Sequence, residues 1–229
     1  MDIDPQNVTL GRGAHSTPEE GLCTLEVVAM LAGEEHTDQP ECCCPAVGSF
    51  VFRWNDDLQD EERTRLLLPL TSRLVGSVSD EAIARRRAVL AIDWMLRIAA
   101  PTWLETVPEH ALLGKLLHKT SPLFAKGAMR KAVGILQRIN LALPADVDLQ
   151  VHGQAASDAV NRSGAAAAYV DLPCLGTDMP AFAGDAIPAL AVSLNSAALA
   201  LSKGVDVEPV VQQLQVSGLE LIDRMLAMR

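Results

Sequence analysis

Residues 79–99 read Ser79-Asp80-Glu81-Ala82-Ile83-Ala84-Arg85-Arg86-Arg87-Ala88-Val89-Leu90-Ala91-Ile92-Asp93-Trp94-Met95-Leu96-Arg97-Ile98-Ala99. Ser79-Asp80-Glu81 is a helix start, because short oxygen-bearing side chains cap free N–H groups and an acid complements the helix dipole. The run behind it is expected to be one long helix through Ala99, carrying Arg85, Arg86 and Arg87. Signals of the same kind recur on both sides. Asp60-Glu61-Glu62 opens a helix expected to reach Val75 before Gly76, with Pro69 kinking or dividing it. Pro101 and Pro108 each suit a first helical turn. Ser121-Pro122 starts a helix to Leu143, where Pro144 stops it.

Towards the N-terminus, Thr17-Pro18-Glu19-Glu20 is read as a further helix start. Leu22, Leu25, Val28, Ala29 and Ala32 follow at helical spacing, and Gly33 is a natural stop. The first 16 residues are read as an irregular arm, residues 34–45 as a polar loop and residues 46–55 as a helix. Beyond an extended stretch at 145–151, helices are expected over 154–170, 186–202 and 207–228, with residues 173–184 as a loop. In the last helix Val207, Val210, Val211, Leu214, Leu221, Met225 and Met228 form one stripe. Ser217 and Gly218 interrupt it with small residues, where a neighbouring helix can come close. Alternating β-branched runs are nearly absent. The expected fold class is therefore all-α, a compact multi-helix bundle of about nine helices. Residues 1–76 would form an N-terminal helical unit and 77–229 a C-terminal bundle, within one globule.

The composition fits that reading. The chain has 229 residues, 49% apolar and 3% aromatic, so its core must be built from Leu, Ala, Val and Met, as in helical bundles. That apolar share excludes a disordered chain, and five Cys in such a length exclude a small disulfide scaffold. The net charge of −10 excludes a generally basic nucleic-acid coat. Its distribution is uneven. Residues 1–62 carry 2 basic and 14 acidic side chains, residues 63–138 carry 13 and 5, and residues 139–229 carry 4 and 10. An acidic N-terminus without an apolar stretch predicts no targeting signal, and no run is long enough to span a membrane. A cytoplasmic location with mostly reduced thiols is expected.

The densest chemistry lies in residues 15–45, which hold His15, Cys23, Glu26, Glu34, Glu35, His36, Asp38, Cys42, Cys43 and Cys44. Cys23 and Glu26 share a helix face by their spacing. Thiolate and imidazole suit zinc or another divalent metal, so His15, Cys23, Glu26, Cys42 and Cys44 are the candidate ligands. No standard zinc spacing is present, and buried packing thiols are the plain alternative. A nucleophilic thiol activated by His15 or His36 is a third, although the surrounding acids raise a thiol's pKa.

Gly21-Leu22-Cys23-Thr24-Leu25-Glu26, Ala32-Gly33-Glu34, Asp38-Gln39-Pro40-Glu41-Cys42 and Pro45 resemble the opening of a group of uncharacterised, all-helical bacterial and phage proteins. Asn55-Asp56, residues 65–69 and Arg73-Leu74-Val75-Gly76 extend the likeness over the first third of the chain. The group has no established activity, so the resemblance assigns no catalytic residue. It implies that residues 15–76 act as a unit. His36 stands where the group carries an aromatic residue.

Asn55-Asp56-Asp57 offers oxygen ligands for a hard cation, or simply ends a helix. Arg85, Arg86, Lys115, Lys119, Lys126, Arg130 and Lys131 make a basic stretch suited to an anionic ligand or a protein partner. His110 and His118 lie within it. It lacks the stacking aromatics of single-strand binders. No Walker A, GxGxxG, GxSxG or HExxH motif occurs, so no catalytic residue and no organic cofactor is assigned. Three functions are expected, in order. The first is a cytoplasmic helical protein with a metal- or thiol-bearing site in residues 15–44, in the manner of an accessory or biosynthetic enzyme. The second is an adaptor using the basic 85–138 face, and the third is a structural subunit whose terminal helix packs between identical protomers.

Overall fold

The computed structural model describes residues 7–108, 110–122, 200–201 and 203–229. Every regular element among these residues is helical, with no strand. In chain order they are α1 (Thr24–Ala32), α2 (Pro45–Asp57), α3 (Asp60–Leu67), α4 (Thr71–Leu74), α5 (Glu81–Trp94), α6 (Ala100–Glu105), α7 (Ala111–His118) and α8 (Glu208–Leu226). The helices expected over 122–143, 154–170 and 186–202 fall almost wholly outside the described residues. So do Lys126, Arg130 and Lys131.

The run 79–99 starts as its residues dictate, with Asp80 Oδ1 accepting the Ile83 N–H at 2.8 Å. It does not stop at Ala99. A single π turn over Met95–Ala99 joins α5 to α6, so the helical path reaches Glu105. The cause is Pro101, which has no N–H for the α ladder. The ladder widens, and the Ala100 N–H bonds Met95 O, five residues back. Thr102 Oγ1 donates to Ile98 O at 2.6 Å, so that carbonyl is satisfied. Pro101 therefore stands in the first turn of α6, as expected, while the π turn keeps the helical path continuous.

Pro69 acts as expected. A 3-10 turn over Leu68–Leu70 separates α3 from α4, and Gly76 at φ +72° ends the segment. The start of the first helix is corrected. Thr17 to Glu20 makes one turn, closed by Glu20 N–H to Thr17 O at 3.1 Å. Gly21, at φ +144°, then turns the chain away, and α1 begins only at Thr24. Gly33 ends α1 at φ +73°.

The irregular arm is tied down along its length. Leu10 is fully buried, and its N–H donates to Thr64 Oγ1 at 3.0 Å. Gly11 N–H bonds Leu22 O at 2.8 Å, while Asn55 Nδ2 donates to Gly11 O at 3.0 Å. Asp56 Oδ1 accepts the Gly13 N–H at 2.8 Å. Of Asn55, Asp56 and Asp57, read as possible cation ligands, Asn55 thus spends its oxygen and amide, and Asp56 its Oδ1, on this arm and on Thr24, while the Asp57 side chain lies outside the described residues. Their spacing matched a helix end, and the helix end is used to fasten the arm.

One continuous set of buried side chains runs from Val8 to Met225. Its aromatic centre is Phe50, edge-on to Trp54 at 5.8 Å and to Trp94 at 6.0 Å. The small pair in α8 lies against these rings. Ser217 Oγ accepts the Trp94 indole N–H at 3.1 Å. A β-carbon added at Gly218 would sit 3.1 Å from the Trp54 ring. Gly218→Val should therefore destabilise the protein by about 1–3 kcal/mol through overpacking, read as a lowered urea midpoint with an unchanged slope. An unaltered midpoint would mean that α8 does not lie on Trp54.

Candidate functional site

The sequence concentrated its chemistry in residues 15–45, and the structure divides it between two places. The first is the start of α1. Cys23 is the N-cap, and Glu26 at the third helical position reaches back to the Cys23 N–H at 2.7 Å. This is a capping box with Cys23 in the place usually held by Ser or Thr. The Glu26 carboxylate also accepts the His15 N–H at 2.6 Å and faces His15 Nδ1 at 2.8 Å. His36 Nε2 lies 3.7 Å from the same carboxylate and 2.9 Å from His15 O. The His15 ring is held between two glycines, since a β-carbon at Gly11 or Gly21 would stand 2.7 Å from its Nε2. Burial works to raise the Glu26 pKa, but the His15 and Cys23 N–H groups and the imidazole together hold it below its ordinary value.

The second place is a cleft of about 500 Å³ between residues 38–45 and one face of α2. Leu25, Pro40, Pro45, Phe52 and Val78 give it apolar walls, and Cys43 and Cys44 line its floor. Asp38, Glu41, Ser49 and Arg53 supply polar groups around it. Ser77 Oγ accepts the Cys44 N–H at 3.1 Å and lies 3.6 Å from Cys43 Sγ, while Ser79 Oγ lies 3.8 Å from Cys44 Sγ. The Val78 N–H bonds Cys42 O at 2.9 Å. Glu34 accepts the N–H groups of Glu41 and Cys42, each at 2.8 Å, which folds the loop over the cleft.

The expected ligand set is consequently not assembled. His15, Cys23 and Glu26 meet at the start of α1, whereas Cys42 and Cys44 bond to residues 76–79 and their surroundings. Among the described residues no group of three or more His, Cys, Asp or Glu side chains is placed to hold a metal ion. The three-residue spacing does bring Cys23, as N-cap, beside Glu26 in the first turn of α1. What it could not show is that Glu26 is already committed to three N–H donors.

Cys23, Cys42 and Cys43 are poor nucleophiles. Burial pushes Cys23 and Cys43 up to about 12, and it also raises half-buried Cys42, with Glu34 adding to the effect. At pH 8 a thiol with a pKa of about 12 is ionised in roughly one molecule in 10,000. Iodoacetamide at pH 8 should leave Cys23 and Cys43 unmodified in the folded protein and alkylate both in urea, as peptide mass spectrometry would show. Rapid native labelling of either would overturn the placement of these side chains.

The basic stretch is also divided. Arg86, Lys115 and Lys119 are exposed. Arg85 lies on α5, and its side chain falls outside the described residues. Arg87 is buried, and Arg97 bonds buried Asp93 at 3.1 Å, so neither contributes to an outer face. His110 is buried beside the start of α7, while His118 sits 3.5 Å from Glu105. Sequence reading did not single out Phe52, Ser49, Arg53, Ser77 or Val78 for the cleft. The one available signal was Gly76, a helix stop that returns residues 77–79 towards the thiols.

No known protein family matches the chain, and neither does any curated protein or solved structure. The chemistry of the two places therefore carries the functional reading.

Proposed function

We propose that the protein is a binding protein whose site is the thiol-lined end of residues 15–44, taking a compact, largely apolar small molecule. The observation that supports this is the cleft of about 500 Å³, which falls within the usual size of ligand sites and has apolar walls with few polar groups. The buried Cys43 thiol, held protonated, serves such a site as a soft, polarisable contact, not as a nucleophile. The neutral Cys43 thiol weighs against the enzyme form of the reading. Binding of the neutral, apolar dye Nile red tests it, with saturable fluorescence enhancement at one equivalent expected. Ser49 is a half-buried lining residue, so Ser49→Trp should fill the cleft and weaken binding at least tenfold with little change in thermal midpoint. Unaltered dye binding in that variant would move the site elsewhere.

A second reading rests on α7. Leu112 and Leu116 are exposed, one helical turn apart, and Lys115 and Lys119 are exposed beside them. Leucines between lysines suit a protein partner better than a nucleic acid. Retention on an anionic matrix across a salt series, compared between the native chain and Lys115→Glu, checks this adaptor role.

A further inference from the structure

A second cavity shares Val78 with the first and differs from it in sign. It measures about 440 Å³ and is lined by Arg73, Arg87 and Arg229, by Ser77 and Ser79, and by apolar side chains including Ile83 and Leu226. Among the described residues, not one of the lining side chains is acidic. That is unexpected in a chain with 29 acidic and 19 basic residues. Arg87 is 4% exposed, so its charge has lost most of its water. Its hydrogen bonds go to neutral acceptors: Met225 O at 2.8 Å, Ser77 O at 2.6 Å, Met228 O at 3.0 Å and Ser79 Oγ at 3.4 Å. Carbonyls at the end of α8 offset part of the charge, about half an elementary unit for a helix terminus. A buried guanidinium bonded to no carboxylate among the described residues leaves the remainder uncompensated. Arg73 adds a second cation. Its partner Asp223, at 2.6 Å, is itself half exposed and does not line the cavity.

We propose that this arginine-lined cavity binds the phosphate group of a small molecule. Arg73 and Arg229 bring guanidinium N–H groups to the wall, and Arg87, with four of its five N–H groups already bonded, adds its charge and the remaining Nη2 N–H, which together suit the charge and acceptor oxygens of a phosphate. The cavity is separate from the proposed apolar cleft, although Val78 belongs to the walls of both. Failure of one site therefore leaves the other reading standing.

Inorganic phosphate is the probe, titrated into the full chain by calorimetry and thermal shift against sodium chloride of matched ionic strength. The expected result is saturable binding with a dissociation constant in the millimolar range or tighter, and a midpoint rise that chloride does not give. Arg73→Gln should weaken binding at least tenfold, since Arg73 is half exposed and its loss leaves the core intact. Ile83→Glu, which places a carboxylate at the cavity wall, should abolish it. Arg86→Gln, on the exposed side of α5, should change nothing. The proposal is overturned if phosphate gives no more than chloride. It is also overturned if Arg86→Gln weakens binding as much as Arg73→Gln, since a diffuse cationic surface would then account for it.

Discussion

Glu26→Ala should destabilise the protein by about 3–5 kcal/mol, the cost expected when a buried, fully bonded carboxylate is removed. The side chain is 1% exposed and accepts the Cys23 N–H, the His15 N–H and the His15 imidazole. Truncation would strand all three donors and leave the start of α1 without its cap. Glu26→Gln keeps the volume and one acceptor but turns an amide NH2 towards groups that already donate, so about 1–3 kcal/mol is expected. The two variants also differ from the wild type in acid. The folded pKa of Glu26 is lowered from its ordinary 4.5, so its stabilisation is complete above that value and is lost as pH falls through the folded one. Urea unfolding from pH 7 to pH 3 should thus show a steeper acid loss in the wild type than in Glu26→Gln. Parallel curves would mean that the carboxylate has the same pKa folded and unfolded, contrary to the geometry.

That cluster also shows how far the sequence could be read. Cys23 and Glu26 three apart on one helix face could be inferred from spacing, but the same spacing serves a metal pair and a capping box equally. The distinction lies with the donors that come to Glu26 from residue 15, and their approach depends on Gly21 at φ +144°, a turn that the strong Thr17-Pro18-Glu19-Glu20 signal concealed. Local signals succeeded where the chain's own backbone satisfied them, as at Asp80, Pro69 and Gly33. Ser217 and Gly218 succeeded because a close approach needs small residues whatever the partner, although Trp54 and Trp94 were not foreseen. The two cavities were not legible. Residues 76–79 wall the second and contribute Val78 to the first, and nothing in that short segment announces that it lies against the thiols on one side and Arg87 on the other. The division of positive charge was hidden for the same reason: Arg85, Arg86 and Arg87 are consecutive, yet Arg86 is exposed and Arg87 is buried.

Arg63→Lys is the second large effect, and it separates the role of charge from the role of shape. Arg63 is 2% exposed, and its guanidinium holds three backbone carbonyls: Asn55 O at 2.6 Å, Leu58 O at 2.6 Å and Leu10 O at 3.2 Å. Its acidic contact, Asp60 at 2.8 Å, is almost fully exposed and so contributes little. The planar fork spans the end of α2, the turn before α3 and the arm at once, which an ammonium on a flexible stem cannot do. Lysine keeps the charge but leaves buried carbonyls unpaired, so a loss of about 2–4 kcal/mol is expected. The loss should be local as well as global. Leu10, Gly11 and Gly13 donate N–H groups to Thr64, Leu22 and Asp56, and these bonds depend on the arm staying in place. Amide exchange at those three positions should accelerate more than exchange in α5, measured on Arg63→Lys under native conditions. If charge alone mattered, the lysine variant would protect the arm as well as arginine does, and the exchange rates at Leu10 and Gly11 would not change.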